Sequence, residues 1–376
     1  MVIHNGYEIV KRMSDLKLGF WELHKTKILA IVLIAIIVGS IGTVLIVISQ
    51  QQQKITLQIF HAGSLTEPFS EYAAIYSEVH PNIVIDNEAY GSSEAIRQMT
   101  ELGRPGDLLG SADYKLIKTM MMNKPIPGVS GVNYSSWYII FSLNEMIIAY
   151  KPANNPPYLN NITSGQTLWY EILNRTDVTF GRADPWQDPC GYRALMVWGL
   201  ADHFYNLSKV QDPQDINQSF YNKDTIMGYS GPGHTVIKAK EVDMISSLEA
   251  GEIDYLFIYR SVAIQHNFGF IELDDHMNLA NITLESYYNQ VKVHRISPLV
   301  PGQKSSDIKA ETIQYGLTIP NNAPHPEETI EYVKFILGYP GLLVEMGQPP
   351  YYPAYASNLT KIPAALQPYC VAYPYA

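Results

Sequence analysis

Motifs of several common enzyme classes are absent from this sequence of 376 residues. It contains no Gly-rich Walker loop ending in Lys-Ser or Lys-Thr, no paired-histidine zinc motif and no nucleophile-elbow pattern. His61 and His234 are isolated, and a lone histidine is more often structural than catalytic. We therefore predict that the protein is not an enzyme and that it uses no cofactor.

Basic residues and cysteines are also scarce. The chain has 26 Lys and Arg against 36 Asp and Glu, and no basic stripe of the kind that binds nucleic acid, so that class of partner is not expected. Only Cys190 and Cys370 are present, and they could pair in an oxidising exterior. Alternatively, Cys190 serves its own motif through its small size and its backbone amide.

One long segment has no charge at all. Ile28 to Ile48 is a mostly apolar stretch of 21 residues, long enough to cross a bilayer as a helix. We interpret it as a transmembrane anchor. A cleavable signal peptide is the alternative, although no convincing cleavage site follows. Basic residues concentrate before the segment, which predicts that residues 1–27 are cytoplasmic and that the chain from Lys54 onward is outside the cell.

Glycosylation sequons agree with that orientation, because all seven follow the apolar segment. They lie at Asn133, Asn161, Asn174, Asn206, Asn217, Asn281 and Asn358. Without residues 1–27 the chain carries 21 basic and 33 acidic residues, a formal charge of −12. We expect a soluble, monomeric ectodomain. Because it exceeds what one core usually supports, two lobes are expected.

Hydrophobic periodicity predicts an α/β fold. Ile55, Leu57 and Ile59 alternate as in a strand, and Phe69 to Tyr76 then follow helical spacing. The same reasoning predicts further strands at 83–85, 146–150, 178–180, 255–259 and 315–319, and helices at 94–102, 193–205 and 326–337. This alternation favours parallel sheets covered by helices, with ligands at the carboxyl ends of the strands.

Three loops between predicted strands and helices share small residues and hydroxyl groups. They are Gly63-Ser64-Leu65, Gly91-Ser92-Ser93 and the stretch from Asp188 to Arg193. Helix N-termini expose unpaired N–H groups and partial positive charge, which favours an anion. Serine hydroxyls add donors, and a fully ionised tetrahedral oxyanion has no proton to return. Each serine could instead be a helix N-cap.

Asp188 is an unusual neighbour for an anion, because like charges repel. It is explicable if it coordinates hexavalent tungsten or molybdenum, since such a centre accepts oxygen ligands beyond its four oxo groups. The alternative is an N-cap for the following helix, with Pro189 in the first turn.

Several motifs together resemble the archaeal tungstate/molybdate-binding protein family, whose members are the solute receptors of ABC importers. The resemblance runs in order from about Lys54 to Pro350 and rests on Phe60 to Leu65, Tyr90 to Glu94, Ser111 to Tyr114, Ser142 to Met146, Asp188 to Arg193, Gly251 to Tyr255, Tyr259 to Ala263 and Tyr315 to Pro320. It implies a type II periplasmic-binding-protein fold, with two α/β lobes, a hinge and an interlobe cleft. We place the first lobe at residues 49–143 and 315–376, including a C-terminal tail, the second at 144–314, and the anchor at 28–48.

The resemblance also implies a set of oxyanion-binding residues. Ser64 and Ser92 match hydroxyl ligands of the family, together with the adjacent Ser93. Asp188 matches a coordinating carboxylate, and Tyr259 matches a tyrosine near the anion. Backbone amides would come from Cys190 and Gly191.

One position departs from the family pattern. Ile258 stands where a second coordinating glutamate is typical, which favours four-coordinate binding by hydrogen bonds alone. The main hypothesis is a membrane-anchored receptor that delivers tungstate or molybdate to a permease and an ATPase. A receptor for sulfate or another tetrahedral oxyanion is an alternative, and so is a surface scaffold that has lost transport function.

Overall fold

The computed structural model describes residues 54–205, 235–295 and 306–374. Its strands are β1 Ile55–Ala62, β2 Ile83–Tyr90, β3 Leu108–Ser111, β4 Ile139–Leu143, β5 Met146–Tyr150, β6 Phe180–Ala183, β7 Thr235–Lys238, β8 Tyr255–Tyr259, β9 Gly269–Ile271, β10 Lys292–Arg295, β11 Ser306–Lys309, β12 Gln314–Thr318, β13 Pro350–Ala356 and β14 Cys370–Ala372. The helices are α1 Thr66–Val79, α2 Ser92–Thr100, α3 Tyr114–Met120, α4 Leu159–Thr163, α5 Trp169–Leu173, α6 Pro189–Tyr205, α7 Glu241–Ala250, α8 Arg260–Gln265, α9 Glu285–Tyr288, α10 Pro326–Gly338 and α11 Gly341–Glu345.

The first sheet has seven strands in the order β14-β13-β4-β12-β3-β1-β2. Strand β1 runs parallel to β3, with Phe60 opposite Leu109, whereas β12 is antiparallel to both β3 and β4. Phe60, Leu109 and Ile140 are fully buried in a core that also receives Ile96 of α2 and Ile117 of α3. Burial of this apolar surface is the main source of stability in the sheet and its helices.

The second sheet has five strands in the order β7-β6-β8-β5-β9. Strand β6 is parallel to β7 and β8, and β5 is antiparallel to β8 and β9. Its core is aromatic: Phe257 of β8 meets Trp198 of α6 edge-on with ring centroids 5.4 Å apart, and Phe180 packs against both. Edge-on contacts of this kind suit the charge distribution of aromatic rings.

The α/β class and most predicted elements are confirmed, whereas wholly parallel sheets were a wrong expectation. The predicted strand at 255–259 coincides with β8, and the predicted helix at 326–337 differs from α10 by one residue. Strand β5, by which the chain enters the second sheet, and strand β12, by which it returns to the first, are antiparallel to their neighbours. The C-terminal tail also contributes β13 and β14 to the first sheet, and was not predicted to do so.

The connection between the two sheets is short where the chain first crosses. Strand β4 ends at Leu143 in the first sheet and β5 begins at Met146 in the second, so Asn144 lies in the crossover. The last strand of the second sheet along the chain is β9, strands β10 and β11 pair in a separate two-stranded sheet, and the chain re-enters the first sheet at β12. The exact lobe boundaries given above stay a prediction.

Two other expectations concern the termini and the thiols. Within the described ranges, no helix is both long enough and apolar enough to cross a membrane, and the proposed anchor Ile28 to Ile48 lies outside those ranges.

Cys190 and Cys370 are both buried free thiols, so the suggested disulfide is wrong. Cys190 lies in α6 beside the second sheet, whereas Cys370 begins β14 in the first.

Candidate functional site

Ser64 lies in a tight 3-10 turn, Gly63–Leu65, directly between β1 and α1. The residue is buried, and its hydroxyl oxygen accepts a 2.8 Å hydrogen bond from the Tyr315 hydroxyl. Its backbone N–H donates to Oε1 of Glu241, 2.6 Å away, at the start of α7. The turn therefore joins an element of the first sheet to a helix that packs on the second.

Ser92 and Ser93 form the first turn of α2, with Gly91 as the N-cap residue, so the helix begins two residues earlier than predicted. Both serines are buried, and the Ser92 hydroxyl oxygen accepts a 3.0 Å hydrogen bond from the Ala112 N–H. A Cβ atom on Gly91 would lie 2.5 Å from the carbonyl oxygen of Gln187. Glycine is therefore required for the close approach between this loop and the segment before Asp188.

Asp188 precedes α6 and is buried. Its Oδ1 accepts from the Cys190 N–H at 2.8 Å, which is the N-cap bond, and its Oδ2 accepts from the Glu241 N–H at 2.9 Å. The N–H of Gly191 donates to the Asp188 carbonyl oxygen. The prediction that the Cys190 and Gly191 amides face an anion is therefore wrong, because both are satisfied within the turn.

Gly191 has a packing role instead. A Cβ atom there would come within 2.5 Å of the Ala183 carbonyl oxygen and of the Asp184 carbonyl carbon. The first turn of α6 therefore packs directly on the end of β6, and only glycine leaves room. This approach places Asp188 at the carboxyl edge of the second sheet, where ligands of α/β folds usually bind.

Glu241 is the site residue that the sequence analysis missed. It is the first residue of α7, is buried, and brings a second carboxyl group to Asp188. Its sequence signal is only that of an acidic residue in a first helical turn, which is common on protein surfaces.

Position 258, where the sequence comparison suggested a second coordinating carboxylate, is not the source of the second carboxyl group in the structure. It is fully buried within β8 and pairs with Ile147 of β5, while the adjacent Tyr259 faces the site. Successive side chains of a strand point to opposite faces, so a residue at 258 and a tyrosine at 259 cannot both reach one anion. The inference that Ile258 removes the second carboxylate from the site is wrong, since Glu241 provides it from another element.

The electrostatics of the carboxyl pair are unfavourable in the absence of a partner. Burial, and then the charge of Glu241 and a hydrogen bond with it, raise the pKa of Asp188 well above its usual range. Burial also raises the pKa of the Cys190 thiol, with Asp188 adding to the effect. Among the described residues, no group of three or more His, Cys, Asp or Glu side chains could hold a metal ion. Contact with a second carboxyl group in this buried position therefore disfavours the charged form of Asp188.

Tyr259 ends β8, and its hydroxyl oxygen accepts a 2.8 Å hydrogen bond from Nη1 of Arg193. Arg193 belongs to α6 and is buried. The Tyr259 ring meets that of Tyr315 edge-on, with centroids 5.9 Å apart. Arg193 was not among the predicted site residues, although it brings a buried positive charge to a cluster rich in acidic groups.

Two further contacts join elements of the first sheet to elements that pack on the second. The Tyr192 hydroxyl donates to Oδ2 of Asp113 at 2.5 Å, and the Lys240 ammonium lies 5.7 Å from the centre of the Tyr90 ring. Cavities of about 510 and 410 Å³ border Lys115, outside the cluster of Ser64, Ser92 and Asp188. Glu241 contacts both Ser64 and Asp188, and Gly91, next to Ser92, approaches the segment that precedes Asp188.

The other residues singled out in the sequence are His61, His234 and the sequon asparagines, and His234 lies outside the described ranges. His61 is buried and burial lowers its pKa to about 4, so it is neutral and structural. Asn174 is exposed, whereas the side-chain amide of Asn133 donates to the Met122 carbonyl oxygen. Of the other predicted sequons, Asn161, Asn281 and Asn358 lie in described segments, and Asn206 and Asn217 lie outside them.

Comparison with known families gives a clear match. The sequence model of the family described as "Bacterial extracellular solute-binding protein" matches residues 57–342, which is more than half of the chain.

Named relatives are similar over most of their length. The chain is 40% identical over 319 residues to an "Uncharacterized solute-binding protein" of Methanococcus maripaludis, covering 82% of this chain and 87% of the relative. It is 38% identical over 307 residues to the molybdate/tungstate-binding protein WtpA of Thermococcus kodakarensis, covering 78% and 81%. Among solved structures, the periplasmic molybdate-binding protein of Azotobacter vinelandii is 11% identical with a TM-score of 0.47, covering 78% of this chain and 98% of that chain.

Proposed function

The chain belongs to the family of extracellular solute-binding proteins, and on that premise we propose that it captures tungstate or molybdate for an ABC importer. The family consists of binding proteins, so the chain is not an enzyme. Relatives named as molybdate/tungstate-binding proteins, at 34% and 38% identity, support this choice of ligand.

The contact between Asp188 and Glu241 is the observation that carries the proposal. Two carboxylates at one point would repel a simple dianion, because like charges in a buried site cost free energy. Hexavalent tungsten or molybdenum can instead take both carboxylates as additional oxygen ligands. Sulfur in sulfate cannot expand its coordination in this way, so the pair favours the metal oxyanions.

Hydroxyl groups complete the proposed site. Ser64 and Ser92 approach from the first sheet and Tyr259 from the second, so an anion between them would contact both lobes. Hydrogen bonds from hydroxyls to a charged acceptor are among the stronger ones in proteins. Such a ligand would favour the closed arrangement of the two lobes, as in other hinged binding proteins.

The location is part of the proposal. We place the binding domain outside the cell, held to the membrane by Ile28 to Ile48, from which it would deliver the anion to a permease and an ATPase as a monomer. The distribution of basic residues around that segment and the sequons beyond it support this orientation.

Thermal unfolding of the full-length chain in detergent tests the ligand. A ligand that binds only the folded state stabilises it by about 2.7 kcal/mol at a concentration 100 times its Kd. We expect micromolar tungstate and molybdate to raise the melting temperature by several degrees, and sulfate at the same concentration to have little effect. The absence of a shift in melting temperature with either metal oxyanion would contradict the proposal. A larger shift with sulfate would identify sulfate as the ligand instead.

A further inference from the structure

The sequon asparagines in the described segments differ in what their side chains contact. These residues are Asn133, Asn161, Asn174, Asn281 and Asn358. An N-linked glycan is attached to Nδ2 of the asparagine, and the sequon also requires the hydroxyl of a Ser or Thr two residues later. The hydrogen bonds of these two groups in the folded chain therefore separate sequons that can be modified from those that cannot.

Asn281 and Asn358 have the same local structure. Oδ1 of Asn281 accepts from the N–H and the hydroxyl of Thr283, at 3.0 and 2.7 Å. Oδ1 of Asn358 accepts from the same two groups of Thr360, at 2.9 and 2.8 Å. Both bonds of each turn go to the amide oxygen, and no described residue accepts from either Nδ2. Both threonines and Asn358 are exposed. We call these sequons available, because the atom that would carry the glycan has no partner.

Asn133 lies in a sequon whose two reactive groups are both engaged. Its Nδ2 donates to the Met122 carbonyl oxygen at 2.6 Å. Ser135, which supplies the sequon hydroxyl, is 2% exposed, and that hydroxyl donates to the Trp137 carbonyl oxygen at 2.7 Å. A glycosyltransferase could reach neither group in the folded chain, and a bulky, solvated glycan would crowd the Met122 carbonyl oxygen. Glycosylation before folding would meet the same obstacle when this loop forms.

The two other sequons adjoin short helices. Asn161 lies within α4, where its Nδ2 donates to Oε1 of Gln166 at 3.3 Å. The hydroxyl of Thr163 donates to the Leu159 carbonyl oxygen of the same helix at 3.0 Å, so this sequon is engaged as well. Asn174 directly follows α5 and is exposed, and no described residue accepts from its Nδ2. Its sequon is therefore available.

We propose that the protein carries N-linked glycans at its available sequons and none at its engaged ones: glycans at Asn174, Asn281 and Asn358, and bare asparagines at Asn133 and Asn161. This inference rests on the proposed location outside the cell, where the sequons would meet a membrane glycosyltransferase. The donor class is a lipid-linked oligosaccharide phosphate. A bond forms between Nδ2 and the anomeric carbon, and the bond from that carbon to the phosphate oxygen breaks. The lipid phosphate leaves with the electron pair of the broken bond, and one amide proton is released to solvent, so nothing is oxidised or reduced.

Glycopeptide mass spectrometry of the full-length protein, purified from the membranes of the cells that produce it, tests this pattern. We expect the mass of a glycan on the peptides that contain the three available sequons and unmodified peptides at the two engaged ones. A glycan at either engaged sequon, or a bare asparagine at any available one, would overturn the inference.

Asn358→Gln and Asn133→Gln form a matched pair of variants, because each removes a sequon by adding one methylene group. The first should lower the mass of the intact protein by one glycan, and the second should leave the number of glycans unchanged. Thr360 gives a second test, which also applies if the Asn358 variant does not fold. Thr360→Ser keeps a hydroxyl and should keep the glycan, whereas Thr360→Ala should lose it. Equal glycan numbers in these two Thr360 variants would overturn modification at Asn358.

Location and anion binding are measured separately from glycan occupancy. Protease added to intact cells should digest the binding domain if it is outside, and thermal unfolding with molybdate or tungstate reports ligand binding. A digested domain that is stabilised by molybdate but carries no glycan overturns this inference alone. A domain protected from protease overturns the proposed location together with this inference. A protein glycosylated as expected but stabilised by neither metal oxyanion overturns the proposed ligand and leaves this inference standing.

Discussion

At the scale of single residues, the pairing of Asp188 with Glu241 distinguishes this site from a simple anion-binding pocket. Hydroxyls and amides alone would be sufficient for a sulfate-like dianion, and additional carboxylates would only weaken its binding. The two carboxyl groups are buried and meet through the Glu241 backbone N–H and the shared hydrogen bond. A ligand whose metal centre accepts oxygen donors would explain why these two carboxyl groups lie together.

Glu241→Gln should separate the two kinds of anion. The amide keeps an oxygen to accept from the Ser64 N–H but loses the negative charge that would coordinate the metal centre. We expect molybdate and tungstate affinities to fall by about 10 to 100-fold, as when a metal loses part of its ligand shell. Sulfate affinity should stay constant or rise, because a repulsive charge is removed. Calorimetry measures all three.

Glu249→Gln is a matched control for that experiment, because Glu249 is exposed near the other end of the same helix, Glu241–Ala250. It should leave all three affinities unchanged. Equal losses for molybdate and sulfate in the Glu241 variant would mean that this carboxyl only shapes the site, and direct coordination would then be excluded.

At the scale of secondary-structure elements, local periodicity identified most strands and helices but not their directions. Ile55, Leu57 and Ile59 alternate because one face of β1 is packed more closely, and that pattern is visible in the sequence. The antiparallel direction of β12 depends on where the chain returns from the other sheet, which no local pattern records. Glu241 was missed for the same reason: it reaches Asp188 across 53 residues of chain and a different helix.

Gly91→Ala tests the contact between elements from the two sheets. The new methyl group would lie 2.5 Å from the Gln187 carbonyl oxygen, and backbone atoms on both sides leave little room to adjust. The conformation itself suits alanine, since Gly91 has φ −65. We therefore expect molybdate affinity to fall by about tenfold through impaired closure of the lobes, with little change in the melting temperature of the protein without anion.

Gly341→Ala is the control for this prediction, because a Cβ atom there meets nothing within 4 Å. Its affinity and its stability should match those of the natural protein or exceed them slightly. If Gly91→Ala binds as tightly as Gly341→Ala, the close approach at Gln187 has no role in closure.

At the scale of the whole molecule, negative charge is in excess, and Glu311 carries part of it in a half-buried position. The chain has a formal charge of −10, and Glu311 lies in the return segment before β12, where it pairs with Lys115 of α3. Burial, and next the charge of Asp113, raise the pKa of Glu311 to about 7, while Lys115 opposes this rise. An excess of like charge destabilises a compact state, so ionisation of Glu311 should lower the free energy of unfolding of the whole protein.

Glu311→Gln should therefore change how stability depends on pH. A carboxyl whose pKa is raised in the folded protein, here from 4.5 to about 7, contributes stability below the unfolded pKa and loses it as the pH rises through 7. The amide cannot ionise, so between pH 5 and 8 the variant should gain about 1 to 3 kcal/mol relative to the natural protein. Thermal melts at both pH values measure this difference. Glu331→Gln is the control, because it removes an exposed ion pair with Lys334 and should show almost no such change. An equal response of the two variants would show that Glu311 ionises as a surface group does.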